Sequence, residues 1–375
     1  MRVLHFFKTY LPQSVGGIEQ VIYQLCQTTC AHGIRSEVLT LSAEPEPESL
    51  MLDDHRVHRA RLDFQIASTG FSFSALRRLR ELAAEVDIVH YHFPWPFMDL
   101  AHVLTRLDKP TVVTYHSDIV RQRSLLQLYK PLMHHFLGSV DRIVATSPNY
   151  LETSPVLGRY RDKVRVIPIG IDRAGYPEPD TARLERWRAQ VGERFFLFVG
   201  VMRYYKGLHI LLEALRGTRY PVVIVGAGPL EQQLRGQAKT LGLDRVVFLG
   251  RIGDEDKVAL LKLSSAIVFP SHLRSEAFGI SLLEGAMFGK PMISSEIGTG
   301  TSYINIHGET GLVVPPSDPA AFRQAMAYLW DHPDEAAAMG ARAERRYQRL
   351  FTAEAMGVQY GALYRELLAE KQKAR

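Results

Sequence analysis

Long apolar runs are missing from this sequence. None approaches the roughly 20 consecutive apolar residues that a membrane-spanning helix needs. Cysteine is scarce as well, with Cys26 and Cys30 the two among 375 residues, so a disulfide framework is excluded. Lying four apart on an expected helix, they make a poor metal site without further ligands and read as core thiols in a reducing compartment. Charge is not one-sided. Lys and Arg number 45 against 40 Asp and Glu, a net +5, which permits contact with anionic lipid or anionic substrates without arguing for nucleic acid. No nucleic-acid motif, fixed-period repeat or leader-like N-terminal segment stands out. After Arg2 the chain goes directly into strand-like Val3 to Phe7, so residence in the cytoplasm is expected.

What is present is alternation. The length suits two domains better than one core. Strand-like runs at Val3 to Phe7, Ser36 to Leu41, Asp87 to His92, Thr111 to His116, Arg142 to Ser147 and Val164 to Pro168 are separated by helical stretches such as Glu19 to His32, Phe73 to Glu85 and Ser124 to Gly138. This pattern predicts a parallel α/β sheet with helices on both faces. Residues 173 to 183, rich in Pro, Gly and Asp, read as a linker, and the alternation restarts at Phe195.

Chemistry concentrates at the predicted carboxyl ends of strands, where ligands bind in such sheets. Phe269 to Gly300 reads as strand end, loop, helix from Ile280 and strand again, with Glu276 in the loop and Glu284 eight residues on. The helix N-terminus suits a phosphate, and two carboxylates suit the hydroxyls of a sugar and a ribose beside it. A structural reading competes: Ser281 with Glu284 fits a capping box, and Glu276 alone fits a solvated loop. Arg203 and Lys206, three apart before a helix, form a diphosphate clamp or a solvated helix start, although positive charge there opposes the helix dipole. Gly16 and Gly17 precede a helix carrying Glu19 and read as a ligand-approach loop or a plain turn. His90, His92 and His116 stand at two strand ends, as structural residues or as groups facing a ligand. Gly226 to Glu231 makes a weak dinucleotide pattern, because Glu231 stands where a small residue is needed. Asp254-Glu255-Asp256 is expected to cap a helix through Asp254 and not to bind metal. Arg121, Arg123 and Lys130 interleave with Leu, Tyr, Met and Phe, as in an amphipathic helix packed on its own domain or lying on a membrane. Arg77, Arg78 and Arg80 beside Phe71 and Phe73 offer a second such surface.

Glu276-Ala-Phe-Gly279 with Glu284 resembles the E-x7-E signature of the retaining GT-B glycosyltransferases of family 4. Val166-Ile-Pro168-Ile-Gly170-Ile-Asp172 resembles that family's interdomain segment with Ile169 replacing Asn, and Arg203-x-x-Lys206-Gly207 resembles its diphosphate clamp. Gly298 to Asn305 is similar to bacterial mannosyl- and rhamnosyltransferases that build O-polysaccharides from GDP-sugars. The resemblance implies two facing Rossmann-like domains with a cleft between them: residues 1–172, joined by the last helix from 352, and residues 173–351. It implies transfer of mannose or D-rhamnose from a GDP-sugar to an undecaprenyl-diphosphate-linked acceptor at the inner-membrane surface, with retention and without a metal ion or other cofactor. The implied catalytic residues are His116, Arg203, Lys206 and Glu276. Donor contacts fall on Gly16, Gly17, Gly228, Arg251, Phe278, Gly279, Ile280 and Glu284 as well as the clamp, and acceptor contacts on Glu19, His90 and His92. A UDP-sugar transferase, a sugar-nucleotide 2-epimerase and, through Gly226 to Glu231, an oxidoreductase are the alternative readings.

Overall fold

Runs that are apolar on both faces become interior strands. Residues Ile88–Phe93 and Val222–Val225 are buried at every position, as parallel strands covered by helices on both sides must be. The computed structural model describes residues 1–66, 69–119 and 123–373, without the side chains of 123–125. The chain divides into two units, Met1–Gly170 with Ala353–Arg375, and Ile171–Thr352. Ile171 falls in the second because it bridges to Thr352 and its carbonyl accepts from the Tyr347 hydroxyl at 2.9 Å.

The first unit carries β1 (Arg2–Phe6), β2 (Arg35–Ser42), β3 (Ser49–Leu52), β4 (His55–Arg61), β5 (Phe64–Ile66), β6 (Thr69–Phe71), β7 (Ile88–Phe93), β8 (Thr111–Tyr115), β9 (Arg142–Ala145) and β10 (Val164–Val166). Eight of these form a sheet in the order β10-β9-β8-β7-β1-β2-β4-β3, parallel except where β3 runs against β4. β5 and β6 make a separate antiparallel pair. The sequence reading passed over β3 to β6 and the helix Pro96–Thr105, because short strands of mixed polarity lack a clear period. Helix Phe73–Glu85 starts where expected, with the Ser72 hydroxyl accepting from Ala75 N–H at 3.0 Å. The last helix, Ala353–Lys373, belongs to this unit and buries Met356, Tyr360, Tyr364 and Leu367.

The second unit has β11 (Phe196–Val199), β12 (Val222–Val225), β13 (Val246–Gly250), β14 (Ala266–Phe269), β15 (Met292–Ser295) and β16 (Gly311–Val314), all parallel in the order β13-β12-β11-β14-β15-β16. Phe196, Phe198, Val222, Ile224, Val268 and Ile293 pack with Leu211, Phe322 and Met326 from the covering helices. Strand order reverses between β11 and β14, the place where open α/β sheets open a crevice.

Three local expectations are corrected. Asp254 does not cap its helix: Gly253 is the N-cap, and the Asp254 carboxylate, already inside the first turn, pairs with Lys257 at 3.0 Å. Helix Thr181–Val191 begins inside the stretch read as linker, because Asp180 accepts from Arg183 N–H and starts it there. Cys26 is buried, whereas Cys30 is exposed at the last residue of helix Gly17–Cys30. No helix among the described residues is long and apolar enough to cross a membrane.

Candidate functional site

Two neighbouring strand ends build the charged part of the site. After β11 the chain turns through Gly200 to Arg203 into a short 3-10 turn, Tyr204–Lys206. After β14 it runs through Ser271 and Glu276 to helix Ile280–Met287. β11 and β14 are adjacent, so residues seventy apart in sequence meet: Lys206 Nζ and Glu276 form an ion pair, and both side chains are about 10% exposed. Ser271 Oγ donates to the same carboxylate oxygen at 2.9 Å, while Oε1 of Glu276 has no hydrogen-bond donor among the described residues. The ammonium also sits 4.8 Å from the Phe269 ring centroid. Breaking such a pair on one side leaves an uncompensated buried charge. Arg203 begins the same turn and is exposed, and its guanidinium takes no hydrogen bond or ion pair among the described residues. The cation pair therefore splits into a buried, anchored lysine and a free guanidinium.

The helix that follows exposes its amide end. Gly279 is its N-cap at φ 101°, a left-handed conformation that side-chain-bearing residues rarely hold. Ile280 is the first helical residue, and the N–H groups of Phe278 to Ser281 find no acceptor among the described residues. The Phe278 side chain is buried near Phe351, so its backbone is the part available to a ligand. The capping-box reading of Ser281 is wrong. Gly279 takes the cap position, Ser281 falls one place inside the helix, and its hydroxyl donates to Val199 O at 2.8 Å, tying the helix to the end of β11.

Glu284 is also engaged. Its Oε1 accepts from Tyr176 Oη at 3.0 Å and lies 3.1 Å from Lys257 Nζ. Burial works against the Lys257 charge, yet Glu284 and Asp254 outweigh it and hold the ammonium above its ordinary pKa. Burial, and then Glu284, raise the Tyr176 phenol. Oε2 of Glu284 has no donor among the described residues, which leaves an acceptor for a hydroxyl. Lys257 and Tyr176 were missed in the sequence. The acidic run Asp254 to Asp256 drew the eye from the lysine one residue later, and nothing local links Tyr176 to Glu284.

Gly228 is explained by packing. A Cβ there would lie 2.5 Å from Met202 O, so the glycine lets the turn after β12 lie on the backbone after β11. Arg251 is exposed just beyond β13, the sheet edge, with no partner among the described residues. Arg274 donates to Gly298 O at 2.7 Å, and Gly300 N–H to Ala277 O at 2.9 Å, so the Gly298–Gly300 loop buttresses the segment carrying Glu276.

In the first unit, Gly16 caps helix Gly17–Cys30 in extended conformation. Glu19 folds back over this loop. Its Oε1 accepts from Thr9 Oγ1 at 2.8 Å and Ser14 Oγ at 3.0 Å, and a Cβ on Gly16 would meet its other oxygen at 2.5 Å. Glu19 thus shapes its own loop, and a side chain at Gly16 would have to displace that carboxylate. Beside it a cavity of about 520 Å³ is lined by Lys8, Gln13, Ser14, Ser42, Glu44 and Gln65 among others; the sequence reading singled out none of these.

The histidines do not stand where an acceptor would touch them. His90 is fully buried, with one ring nitrogen 2.7 Å from Tyr364 Oη and the other 2.8 Å from Thr114 Oγ1. His92 is fully buried between His5 and His116. Direct acceptor contact by His90 and His92 is therefore corrected: paired β7 and β1 turn both rings into the layer beneath the last helix. His116, just past β8, is 5% exposed. Burial lowers the pKa of His5 and of His116 to about 3, and that of His90 and His92 well below the ordinary value, so all four are neutral near pH 7. Ligand nitrogens of His5, His90 and His92 lie within 4.8 Å of one another, the grouping among the described residues able to approach a metal ion. Five of their six nitrogens are hydrogen-bonded instead to one another, His116, Thr114 and Tyr364.

The arginine-bearing surfaces are largely compensated. Arg77 and Arg78 lie 3.5 and 3.2 Å from Glu81, and Arg80 donates to Leu104 O. Phe73 is exposed. Arg121 lies outside the described residues, as does the side chain of Arg123. Farther along that helix Met133, Phe136 and Leu137 are buried in their own unit.

The chain is similar to known proteins in both units. Residues 181–346 match the family described as "Glycosyl transferases group 1" and residues 15–174 "Glycosyltransferase Family 4". The chain is 71% identical to a D-rhamnosyltransferase, WbpZ, of Pseudomonas aeruginosa, over 94% of this chain and 93% of that one. It is 52% identical to the O-antigen chain mannosyltransferase C of Escherichia coli, over 99% and 100%. Among solved structures, a sucrose-phosphate synthase from Thermosynechococcus elongatus superposes with a TM-score of 0.82 over 98% of this chain and 99% of that one at 22% identity, a likeness of fold.

Proposed function

Because the chain belongs to the family 4 glycosyltransferases of GT-B fold, among the O-antigen enzymes, we propose that it moves mannose or D-rhamnose from a GDP-sugar to an undecaprenyl-diphosphate-linked O-polysaccharide. The observation that carries this reading is the buried Lys206–Glu276 pair, with Arg203 on the same turn and the free amide end of helix Ile280–Met287 on the neighbouring strand end. Cations and amides together suit a diphosphate that gains charge as it leaves. Oε1 of Glu276 is left for the sugar and Oε2 of Glu284 for the ribose hydroxyls. The cavity at Lys8, Gln13 and Glu44, polar and next to the Gly16-Gly17 loop, is assigned to the acceptor.

Retention is proposed through same-face attack. The acceptor oxygen bonds to the anomeric carbon as the bond to the β-phosphate oxygen breaks, and that phosphate takes the acceptor proton as GDP departs. A carboxylate already tied to Lys206 and Ser271 is a poor nucleophile, which favours this route over a glycosyl-enzyme intermediate. Two protein cations at the diphosphate supply the charge a divalent ion would otherwise bring, so activity without added metal is proposed, at the cytoplasmic face of the inner membrane. The test is a donor screen. GDP-mannose, GDP-D-rhamnose and UDP-sugars are incubated with a synthetic lipid-diphosphate acceptor, with and without chelator, and the products are read by mass spectrometry. A single added hexose from a GDP-sugar, unaffected by chelator, is expected. Transfer from a UDP-sugar alone, or sugar epimerised without transfer, overturns the reading.

A further inference from the structure

We propose that His5 and His92 are positioning residues that hold His116 in the tautomer carrying its hydrogen on Nδ1. Three buried rings form a continuous chain. His5 Nδ1 is 3.1 Å from His92 Nε2, and His92 Nδ1 is 3.0 Å from His116 Nε2. The rings stack, with centroids 5.4 and 5.3 Å apart. β1 pairs with β7 so that His5 lies opposite His90, and His92 follows two residues later on the same face.

A neutral imidazole has one N–H and one bare nitrogen. All three rings must therefore point their hydrogens the same way along the chain, which leaves two arrangements. If the hydrogens run from His5 toward His116, then His116 Nε2 accepts, its hydrogen sits on Nδ1, and His5 Nε2 is bare. If they run the other way, His116 Nδ1 is bare and His5 Nε2 carries a hydrogen. His5 Nε2 is buried and has no partner among the described residues. That one atom decides the direction, because a buried N–H without an acceptor forfeits a strong bond and is rarer than a bare acceptor. The first arrangement follows. His90 does not disturb it, since both its nitrogens are held by Tyr364 and Thr114.

The functional consequence rests on the proposed glycosyl transfer. His116 offers a hydrogen-bond donor, and no base, to a ligand oxygen that reaches it. The family resemblance counts His116 among the catalytic residues, and the histidine chain specifies the form it takes.

The test uses the full chain with its histidines labelled with nitrogen-15, the His116 signals being identified by their loss in H116Q. In the unaltered protein Nδ1 of His116 is expected to carry the hydrogen and Nε2 to be bare. His5→Leu removes the donor that starts the chain, so His116 should become a tautomer mixture with kcat about tenfold lower and KM for donor little changed. His5→Gln, whose amide can donate to His92, should restore the single tautomer and most of the rate. A hydrogen on Nε2 of His116 in the unaltered protein, or an unchanged tautomer in His5→Leu, overturns the proposal. So does one equivalent of bound metal with metal-shifted signals from His5 and His92, since a metal would take the nitrogens the chain needs. If the tautomers respond as stated but kcat does not move, the positioning holds and it is the catalytic role of His116 that fails. Should His5→Leu not fold, the unaltered protein and His5→Gln still decide.

Discussion

The two sheets share one plan and fill it with opposite chemistry. In each, the first strand of the unit lies beside the fourth of its parallel series, β1 with β7 and β11 with β14, so both have the same reversal of strand order. In the first unit that junction holds four neutral imidazoles, His5, His92 and His116 joined to one another and His90 held by Tyr364 and by Thr114, which in turn bonds Tyr360. In the second it holds the Lys206–Glu276 ion pair with Arg203 uncommitted nearby. Topology selects the place, and the side chains decide whether that place is a polar scaffold or an anion seat.

Breaking the charged half should have the largest effect. Lys206→Met is expected to lower kcat by about 10²–10³-fold and also to lower the melting temperature, because Glu276 stays buried without its partner. Adding Glu276→Gln should return the stability and leave the rate low. Arg203→Ala should cost about as much rate with no change in melting temperature, its side chain being exposed; calorimetry beside steady-state kinetics separates the two cations.

Acid should break the neutral half next. The folded-state pKa values of His5, His90, His92 and His116 lie below the unfolded value of about 6.5. Each therefore contributes stability that is complete above pH 6.5 and is lost as pH falls from there toward its folded value, about 3 for His5 and His116. The loss is up to about 1.4 kcal/mol per histidine for each pH unit. Denaturant titrations between pH 7 and 4.5 should show the first unit unfolding ahead of the second, and H5Q should reduce the steepness.

Asp99 sharpens the contrast with a term of opposite sign. Burial, partly offset by a hydrogen bond from Tyr129, raises its pKa well above the ordinary value. Its effect is therefore neutral in acid and destabilising as pH climbs through the unfolded pKa toward the folded one. Asp99→Asn should raise stability at pH 8 by about 1–2 kcal/mol and change little at pH 4. The smallest effect is expected at Lys257, which touches Glu284 and no proposed reacting group. Lys257→Met should raise KM for the donor about threefold at unchanged kcat, measured in initial-rate assays.

How much was legible beforehand follows the range of each interaction. Strand ends, the loop carrying Glu276, the turn carrying Arg203 and Lys206, and the helix from Ile280 announce themselves within a few residues, through apolar runs closed by Gly or Pro. The partnership of Lys206 with Glu276 depends on which strands become neighbours, and no local pattern states that. His5 reads as one more residue of a buried strand, and it becomes informative when β7 is laid beside it. The Ser281 capping box failed for a backbone reason: the left-handed Gly279 starts the helix two residues earlier than the side-chain pattern suggests. Glu19 and Gly228, read as ligand contacts, turned out to have demanding structural duties that spacing does not reveal.

The last helix has a consequence for how the chain comes to life. Tyr360 and Tyr364, which hydrogen-bond Thr114 and His90, are made some 250 residues after those partners. On a ribosome the early sheet must wait for residues 353–373, whereas residues 171–352 form an uninterrupted stretch able to mature first. The portion synthesised first is thus the portion finished last, and a message truncated before residue 353 would yield an intact second unit and a first unit whose histidine layer lies open.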